Sequence, residues 1–168
     1  MTEGDAFGAG VRRGLRITWP SGHELAFNAT YTRKKGFHGR SRSVALRPDY
    51  ALYLPSGHAA GLHLFDAKFR LRRRGEESTS EIDDIHKMHT YRDAIPAAKS
   101  AWVLYPGTHT LRYRDDPQGP AWRGVGAYPA LPGNQAPSLV EHLQALLAGA
   151  SPSARAAAPA PPAPTASA

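Results

Sequence analysis

The sequence predicts an α/β domain built on a mixed β-sheet that is flanked by helices. Two hairpin patterns come first, and a strand, a helix and a further strand can be traced after them. Hairpins produce antiparallel strand pairs, whereas a strand–helix–strand crossover produces a parallel pair. A chain that contains both kinds of connection is therefore expected to form a mixed sheet.

Both hairpins are indicated by paired strand-like segments with turn residues between them. GLRITW and ELAFNATY are separated by PSGH, in which Pro20 and Gly22 supply the turn chemistry. DYALYL and LHLFDAKFRL form the second pair and are joined by PSGHAAG. We therefore expect two antiparallel pairs within residues 14–71.

A helix is expected between the second hairpin and the next strand. In EIDDIHKMHTYRDAI the apolar residues recur every three or four positions, which is the spacing of an amphipathic helix of about four turns. Pro96 follows and ends this helix. Its apolar positions are Ile82, Ile85, Met88, Tyr91 and Ile95.

The remaining elements are two strands and a second helix. SAWVLYP is a continuous apolar run, typical of a central strand buried on both faces, and WRGVGAYPAL predicts one more strand. PSLVEHLQALLAG predicts a short amphipathic helix that packs at the edge of the domain and stops at Gly149. Its apolar positions are Leu139, Val140, Leu143, Leu146 and Leu147.

Composition limits the class of protein. A chain of 168 residues suits one domain with a core, so we expect a flexible leader (1–14), a folded domain (15–149) and a disordered tail rich in Ala and Pro (150–168). The absence of cysteine excludes disulfides, thiolate zinc sites and iron–sulfur clusters and suits a reducing cytoplasm. No run of about 18 apolar residues predicts a membrane span.

The formal charge of +7 is concentrated in two runs. Residues 33–47 contain no acid, and a second basic run extends through residues 68–74. Such runs predict a phosphate-binding surface, although a solvated basic face without a ligand is the alternative. The residues expected to bind a polyanion, if the ligand is a nucleic acid, are Arg33, Lys34, Lys35, Arg40, Arg42, Arg47, Arg70 and Arg72.

An acid and a lysine interrupt the fourth strand-like segment. Side chains alternate along a strand, so Asp66 and Lys68 share one face, about 7 Å apart, with Arg70 and Arg72 further along it. The other face is apolar and is expected to join the core, which leaves the charged face for another role. A simple surface ion pair is the structural alternative. The apolar face carries Phe65, Ala67, Phe69 and Leu71.

A second acid, Asp49, follows Pro48 and opens the preceding strand-like segment. If the hairpin folds about Gly57 and His58, Asp49 lies opposite Asp66, about 5 Å away at Cβ. A turn centred on His58 instead shifts this register by one residue. Two carboxylates so close require a cation, and Mg²⁺ favours one or two carboxylates with water and substrate phosphate as its other ligands. Lys68 would then orient or activate a water and neutralise charge on a phosphodiester.

Pro48 and Asp49, followed by Asp66, Ala67 and Lys68, resemble the signature of the PD-(D/E)XK nuclease superfamily. The resemblance implies a restriction-endonuclease-like fold that cuts nucleic acid with Mg²⁺ or Mn²⁺. It further implies that Asp49 and Asp66 bind the metal together with the Ala67 carbonyl, and that Lys68 is the catalytic lysine. Over roughly residues 15–147 the chain is similar to the C-terminal nuclease domain of McrC-like restriction proteins, on the segments LRPDYALYL, LFDAKFRL, DDIHKMHTYRDAI, AWVLYPG and VGAYPALPG.

The resemblance also concerns the helix after this strand. In several related nucleases that helix carries a glutamine and, four residues later, a tyrosine, both facing the site. The corresponding positions here are Lys87 and Tyr91, which share a helix face. Lysine in place of glutamine departs from the pattern, and the alternative for Tyr91 is an ordinary core aromatic.

The function implied is that of an Mg²⁺-dependent DNA endonuclease domain of a restriction or defence system, with an McrB-like AAA+ GTPase or ATPase as a partner. Such nucleases usually carry a further acid on a helix ahead of the hairpins. This sequence starts close to its first strand, so we expect the N-terminal core helix to be missing and the chain to resemble the end of a longer protein. The alternative is a truncated, catalytically inactive relative that binds nucleic acid or a partner.

Overall fold

The computed structural model describes residues 14–68 and 77–148, which form one seven-stranded sheet with two helices packed on it. The order of strands across the sheet is β1-β2-β3-β4-β5-β7-β6. The elements are β1 (Arg16–Thr18), β2 (Glu24–Phe27), β3 (Tyr50–Leu54), β4 (Gly61–Ala67), α1 (Glu77–Ala94), β5 (Ala98–Tyr105), β6 (Leu111–Tyr113), β7 (Gly124–Pro129) and α2 (Pro137–Ala148).

Strand pairing confirms the predicted mixed sheet. The first four strands pair antiparallel in chain order, as expected for two hairpins. Helix α1 then carries the chain to β5, which lies parallel to both β4 and β7. Strand β6 pairs antiparallel with β7 at the far edge and was not predicted, because its three residues, two of them exposed, are too short to display a pattern.

Strand β5 is the central strand that its apolar run indicates. Trp102 and Val103 project to opposite faces and both are buried. The neighbouring β7 carries Gly126 opposite Trp102, where an added Cβ would lie 2.8 Å from the indole ring and 2.1 Å from the Leu111 carbonyl oxygen. Glycine at this position lets the large indole fill the core beside β7.

Helix α1 covers one face of the sheet. It begins at Glu77, earlier than the predicted Glu81, and ends before Pro96 as expected. Its buried residues Met88 and Tyr91 pack in one core cluster with Leu62 and Leu64 of β4. The loop between β2 and β3 packs on this same face.

Helix α2 covers part of the opposite face with part of the predicted stripe, since Leu146 is buried and Leu139 and Leu143 pack against the same core cluster. The buried positions are His142, Ala145 and Leu146, whereas Val140 and Leu147 are 50% and 56% exposed. The leucines beside the buried stripe border an apolar cleft of about 550 Å³. That cleft is lined by Trp19, Leu25, Tyr50, Leu52, Phe65, Leu104, Leu139, Leu143 and Leu147, with Ser21 and His23.

The structure contradicts the expectation that one face of strand β4 is core and the other is charged. Leu62 and Leu64 share the face of Asp66 and are fully buried, while Phe65 is buried on the other face. Both faces are core because β4 lies between β3 and β5, under α1 on one side. The strand ends at Ala67, and the predicted positions Phe69, Arg70, Leu71 and Arg72 lie outside the described residues.

Candidate active site

The two acids meet through the register of β3 and β4. Tyr50 pairs with Phe65 and Ala51 with Leu64, which is the register of a hairpin folded about Gly57 and His58. One further step along the same register places Asp49 opposite Asp66. Alternation along each strand puts both acids on the face that α1 covers.

Asp49 is tied to the neighbouring strand by its own side chain. Its Oδ2 accepts a hydrogen bond of 2.7 Å from the backbone N–H of Ala67. Its backbone carbonyl accepts another from the N–H of Asn28, at 2.7 Å. These two bonds fix the residue just ahead of β3, one position outside the paired strand.

Asp66 is a buried carboxylate, 2% exposed. Nζ of Lys87 lies 3.0 Å from its Oδ1 and 3.1 Å from its Oδ2, and the Tyr91 hydroxyl lies 3.1 Å from Oδ1. Lys68 forms a second ion pair, with Oδ2. A buried carboxylate is costly unless it is paired and hydrogen-bonded, and these contacts satisfy that requirement.

Lys68 remains held to the sheet although β4 ends one residue earlier. Its backbone N–H donates to the Leu104 carbonyl of β5 at 2.7 Å. Burial acts to lower the pKa of the Lys68 ammonium, but the hydrogen bond and negative charge of Asp66 outweigh burial, so the pKa is raised. Lys68 is therefore a cation at neutral pH.

Tyr91 combines the two roles considered for it. It belongs to the core cluster, with 2% of its surface exposed, and its hydroxyl also lies 3.2 Å from the Arg47 carbonyl oxygen. Burial, followed by the charge of Asp66, raises the pKa of Tyr91. The hydroxyl therefore stays protonated and donates toward these acceptors. Nζ of Lys87 lies 5.2 Å from the centroid of the Tyr91 ring.

A further acid near the site was missed in the sequence. The charge of Asp84 acts on Lys68 and helps to raise its pKa, which places Asp84 within electrostatic reach of Lys68. Asp84 precedes Lys87 by three residues and Tyr91 by seven. Residues at this spacing lie on one face of a helix, so the spacing could have indicated from the sequence that Asp84 lies near the site.

Asp49 and Asp66 are oxygen donors, the type that Mg²⁺ and Mn²⁺ bind, and the Ala67 backbone carbonyl would be a third if a divalent cation bound here. Among the described side chains no group of three or more His, Cys, Asp or Glu could hold a metal ion. Mg²⁺ commonly takes one or two protein carboxylates and fills the remaining positions with water and phosphate, so two carboxylates suffice.

The basic residues of the loop between β2 and β3 are all exposed. This loop is anchored to α1, because the Arg42 N–H donates to the Ala94 carbonyl at 2.7 Å and the Arg47 carbonyl lies against Tyr91. The loop therefore lies on the same face of the sheet as Asp66. Arg70 and Arg72 lie outside the described residues. The loop residues concerned are Arg33, Lys34, Lys35, Arg40, Arg42 and Arg47.

A mixed sheet in which two acids and a lysine gather at the end of adjacent strands defines a restriction-endonuclease-like α/β protein. The family model of the PD-(D/E)XK nuclease superfamily matches residues 15–110, more than half of the chain. The chain belongs to this superfamily, and this membership implies a nuclease. The match includes Asp49, Asp66, Lys68, Lys87 and Tyr91 and ends before β6.

Searches of the curated proteins and of the solved structures returned no significant match. Neither helix in the described part of the chain combines the length and apolar character needed to cross a bilayer.

Proposed function

We propose that the chain is a metal-dependent DNA endonuclease domain, with Asp49, Asp66 and Lys68 as its catalytic residues. The observation that carries the proposal is the meeting of these side chains on the α1 face, where Asp49 bonds the Ala67 N–H and Lys68 pairs with Asp66. Asp49, Asp66 and the Ala67 carbonyl would hold Mg²⁺ or Mn²⁺. When bound, the ion supplies Lewis acidity and neutralises charge on the phosphate.

The reaction is phosphodiester hydrolysis. A water oxygen forms a new bond to phosphorus while the bond from phosphorus to the departing sugar oxygen breaks, and one water proton ends on that departing oxygen. The negative charge on the phosphoryl oxygens needs a fixed positive group nearby. Lys68 supplies that charge because it stays protonated beside Asp66. Tyr91 holds the carboxylate of Asp66 in place from α1.

DNA is the proposed substrate because the exposed basic side chains of the β2–β3 loop lie on the face of the site. Contacts between such side chains and phosphates provide affinity that does not depend on sequence. Arg33, Lys34 and Lys35 form the most concentrated group, and Arg47 directly precedes the Pro48-Asp49 pair. The loop would grip the backbone on one side of the scissile phosphate.

The branch of the superfamily is proposed to be McrC-like, which implies a role in restriction or defence and an McrB-like AAA+ GTPase or ATPase as partner. The support is the similarity in sequence around the site, including LRPDYALYL and LFDAKFRL. A protein of this branch would cut efficiently only with the partner present. The assay therefore needs an arm with such a nucleotide-hydrolysing partner.

The deciding experiment incubates plasmid and linear DNA with the purified chain, with Mg²⁺ or Mn²⁺ and with chelator, with and without the partner. We expect metal-dependent nicking or cutting that disappears in Asp66→Ala and is strongly reduced in Lys68→Ala. Lys99→Gln is the matched control, because Lys99 is a partly buried lysine of β5 that lines a separate polar pocket. Wild-type protein that leaves every substrate intact in all arms contradicts the proposal.

One observation favours a second candidate, a catalytically silent relative that binds nucleic acid or a partner. Both oxygens of Asp66 are engaged by protein cations, Lys87 and Lys68. If these contacts are permanent, the carboxylate is a structural ion pair and the basic loop alone has a function. This candidate predicts salt-sensitive DNA binding without metal-dependent turnover, and cleavage that depends on Lys68 excludes it.

A further inference from the structure

Lys87 occupies the position on Asp66 that a cation would take. Its Nζ lies almost equally far from the two carboxylate oxygens, at 3.0 Å from Oδ1 and 3.1 Å from Oδ2. Lys68 contacts the same carboxylate through Oδ2. One buried negative charge is therefore flanked by two ammonium groups, so an added divalent cation meets repulsion unless one of them leaves.

The two partners differ in how easily they move. The Asp66 side chain is 2% exposed, whereas that of Lys87 is 40% exposed and that of Lys68 is 26% exposed. Lys87 projects from a helix on a long flexible stem, so its ammonium can rotate into water or toward another anion while the helix stays in place. Lys68 is held at the end of β4 by its backbone bond to Leu104. Lys87 is thus the exchangeable partner.

A nucleic-acid phosphate is the anion at hand for a displaced ammonium. The exposed Arg47 directly precedes the Pro48-Asp49 pair, and its carbonyl oxygen lies 3.2 Å from the hydroxyl of Tyr91, one turn along α1 from Lys87. A nucleic-acid backbone bound at Arg47 brings negative charge to the face that Lys87 occupies. The displaced lysine then gains a partner at the same time as Asp66 becomes available.

We propose that Lys87 is a resident counter-ion of Asp66 that a divalent cation must displace, and that bound nucleic acid favours this displacement by accepting the lysine. The inference rests on the proposed function, since it assigns Asp66 to metal binding. Metal binding is then weak in the free protein and stronger in the presence of DNA. Because coupling between two ligands is reciprocal, metal also strengthens DNA binding by the same factor.

The first test measures Mn²⁺ affinity by calorimetry in the free wild type, Lys87→Gln and the charge-matched control Lys99→Gln, with thermal unfolding confirming that all three are folded. We expect Lys87→Gln to bind Mn²⁺ about tenfold more tightly than wild type, a typical coupling factor, and Lys99→Gln to match wild type. Equal affinities in wild type and Lys87→Gln overturn the inference. An equal gain in Mn²⁺ affinity in Lys99→Gln also overturns the inference, because it would be a general effect of removing a positive charge. A failure of all three proteins to bind Mn²⁺ overturns it as well.

The second test measures the coupling itself in wild type and Lys87→Gln, with a short phosphorothioate duplex that resists hydrolysis so that the DNA survives. The duplex is expected to raise Mn²⁺ affinity severalfold in wild type and not to change it in Lys87→Gln. The same rise in both overturns the role of Lys87. These readouts do not depend on cleavage. If DNA raises Mn²⁺ affinity through Lys87 but no DNA is cut, the inference stands and the nuclease proposal is contradicted. If DNA is cut but the Mn²⁺ affinity does not depend on Lys87, the nuclease proposal stands and the inference is contradicted.

Discussion

The carboxylate of Asp49 accepts a 2.7 Å hydrogen bond from the backbone N–H of Ala67, the residue between Asp66 and Lys68. One acid is thus bonded directly to the backbone that presents the other acid and the lysine. The bond crosses from the segment before β3 to the end of β4, and it depends on the register of that hairpin. The relative position of Asp49 and Asp66 is therefore a property of the sheet.

Asp49 lends itself to a test that separates structure from charge. Asp49→Asn keeps an oxygen that can accept the Ala67 N–H but removes the negative charge, whereas Asp49→Ala removes both. We expect both variants to lose metal-dependent cleavage, and Asp49→Ala alone to lose about 1 kcal/mol of unfolding free energy. Denaturant unfolding and a cleavage assay measure the two effects. An active Asp49→Asn would show that the charge is not needed.

Tyr91 is expected to matter for stability and for the site. Tyr91→Phe keeps the ring in the core but removes the hydroxyl that lies against Asp66 and the Arg47 carbonyl. We expect a loss of about 1 kcal/mol in unfolding free energy, because a buried carboxylate loses a donor. Cleavage should fall without disappearing, since the lysines still hold Asp66. Unchanged stability in denaturant unfolding would contradict the importance of this bond.

Lys68 is expected to act through its charge. Lys68→Ala should reduce the cleavage rate by about 10²- to 10³-fold, the usual effect of removing one electrostatic stabiliser. Lys68→Arg, which keeps the charge but alters its position, should retain part of the activity. Single-turnover cleavage on one DNA substrate measures all three proteins. A Lys68→Ala variant as fast as wild type would remove this residue from the mechanism.

Two buried histidines predict how stability depends on pH. Burial lowers the pKa of His63 from 6.5 to about 4 and that of His142 from 6.5 to about 3. Unfolding restores the ordinary value, so between about pH 6.5 and the folded pKa the unfolded chain binds more protons and stability falls as the pH is lowered. Each group contributes at most about 1.4 kcal/mol per pH unit within that window.

His142 offers the cleaner variant of the two. It lies among the rings of Phe65, Trp102 and Tyr128, and its Nε2 has no hydrogen-bond partner among the described residues. His142→Leu should make stability less dependent on pH below 6.5, as measured by melting temperature from pH 7 to pH 4. The exposed His58→Gln serves as control and should follow wild type. Parallel curves for wild type and His142→Leu would contradict the assignment.

The basic loop predicts the salt dependence of DNA binding. Replacing Arg33, Lys34 and Lys35 by alanine should weaken binding equally on different sequences. It should also reduce the slope of log affinity against log salt by about 0.9 for each phosphate that the protein no longer neutralises. Fluorescence anisotropy at several salt concentrations measures this, with Arg114→Gln, an exposed arginine that follows β6 at the far edge of the sheet, as control. A slope unchanged in the triple variant would place the DNA-binding surface elsewhere.

Much of the fold could be predicted because its signals are local. Alternation, turn residues and apolar runs identified the two hairpins and the central strand β5, and the spacing of Met88, Tyr91 and Ile95 identified α1. The Pro-Asp pair and the Asp-Ala-Lys triplet indicated in advance residues that lie together in the structure. The short strand β6 and the burial of His142 and Ala145 in α2 were not predicted, because three residues carry no period and neither histidine nor alanine marks an apolar stripe.

The sequence by itself determined which elements form and which residue types the site contains, since these follow from spacing along one chain. Only the tertiary structure decided that both faces of β4 are core and that the pairing register of β3 and β4 brings Asp49 to Ala67. It also decided that α1 places Lys87 and Tyr91 in contact with Asp66. The physical reason is distance along the chain. Contacts between residues 18 to 25 positions apart depend on how the sheet pairs and how the helix packs, which no local pattern records.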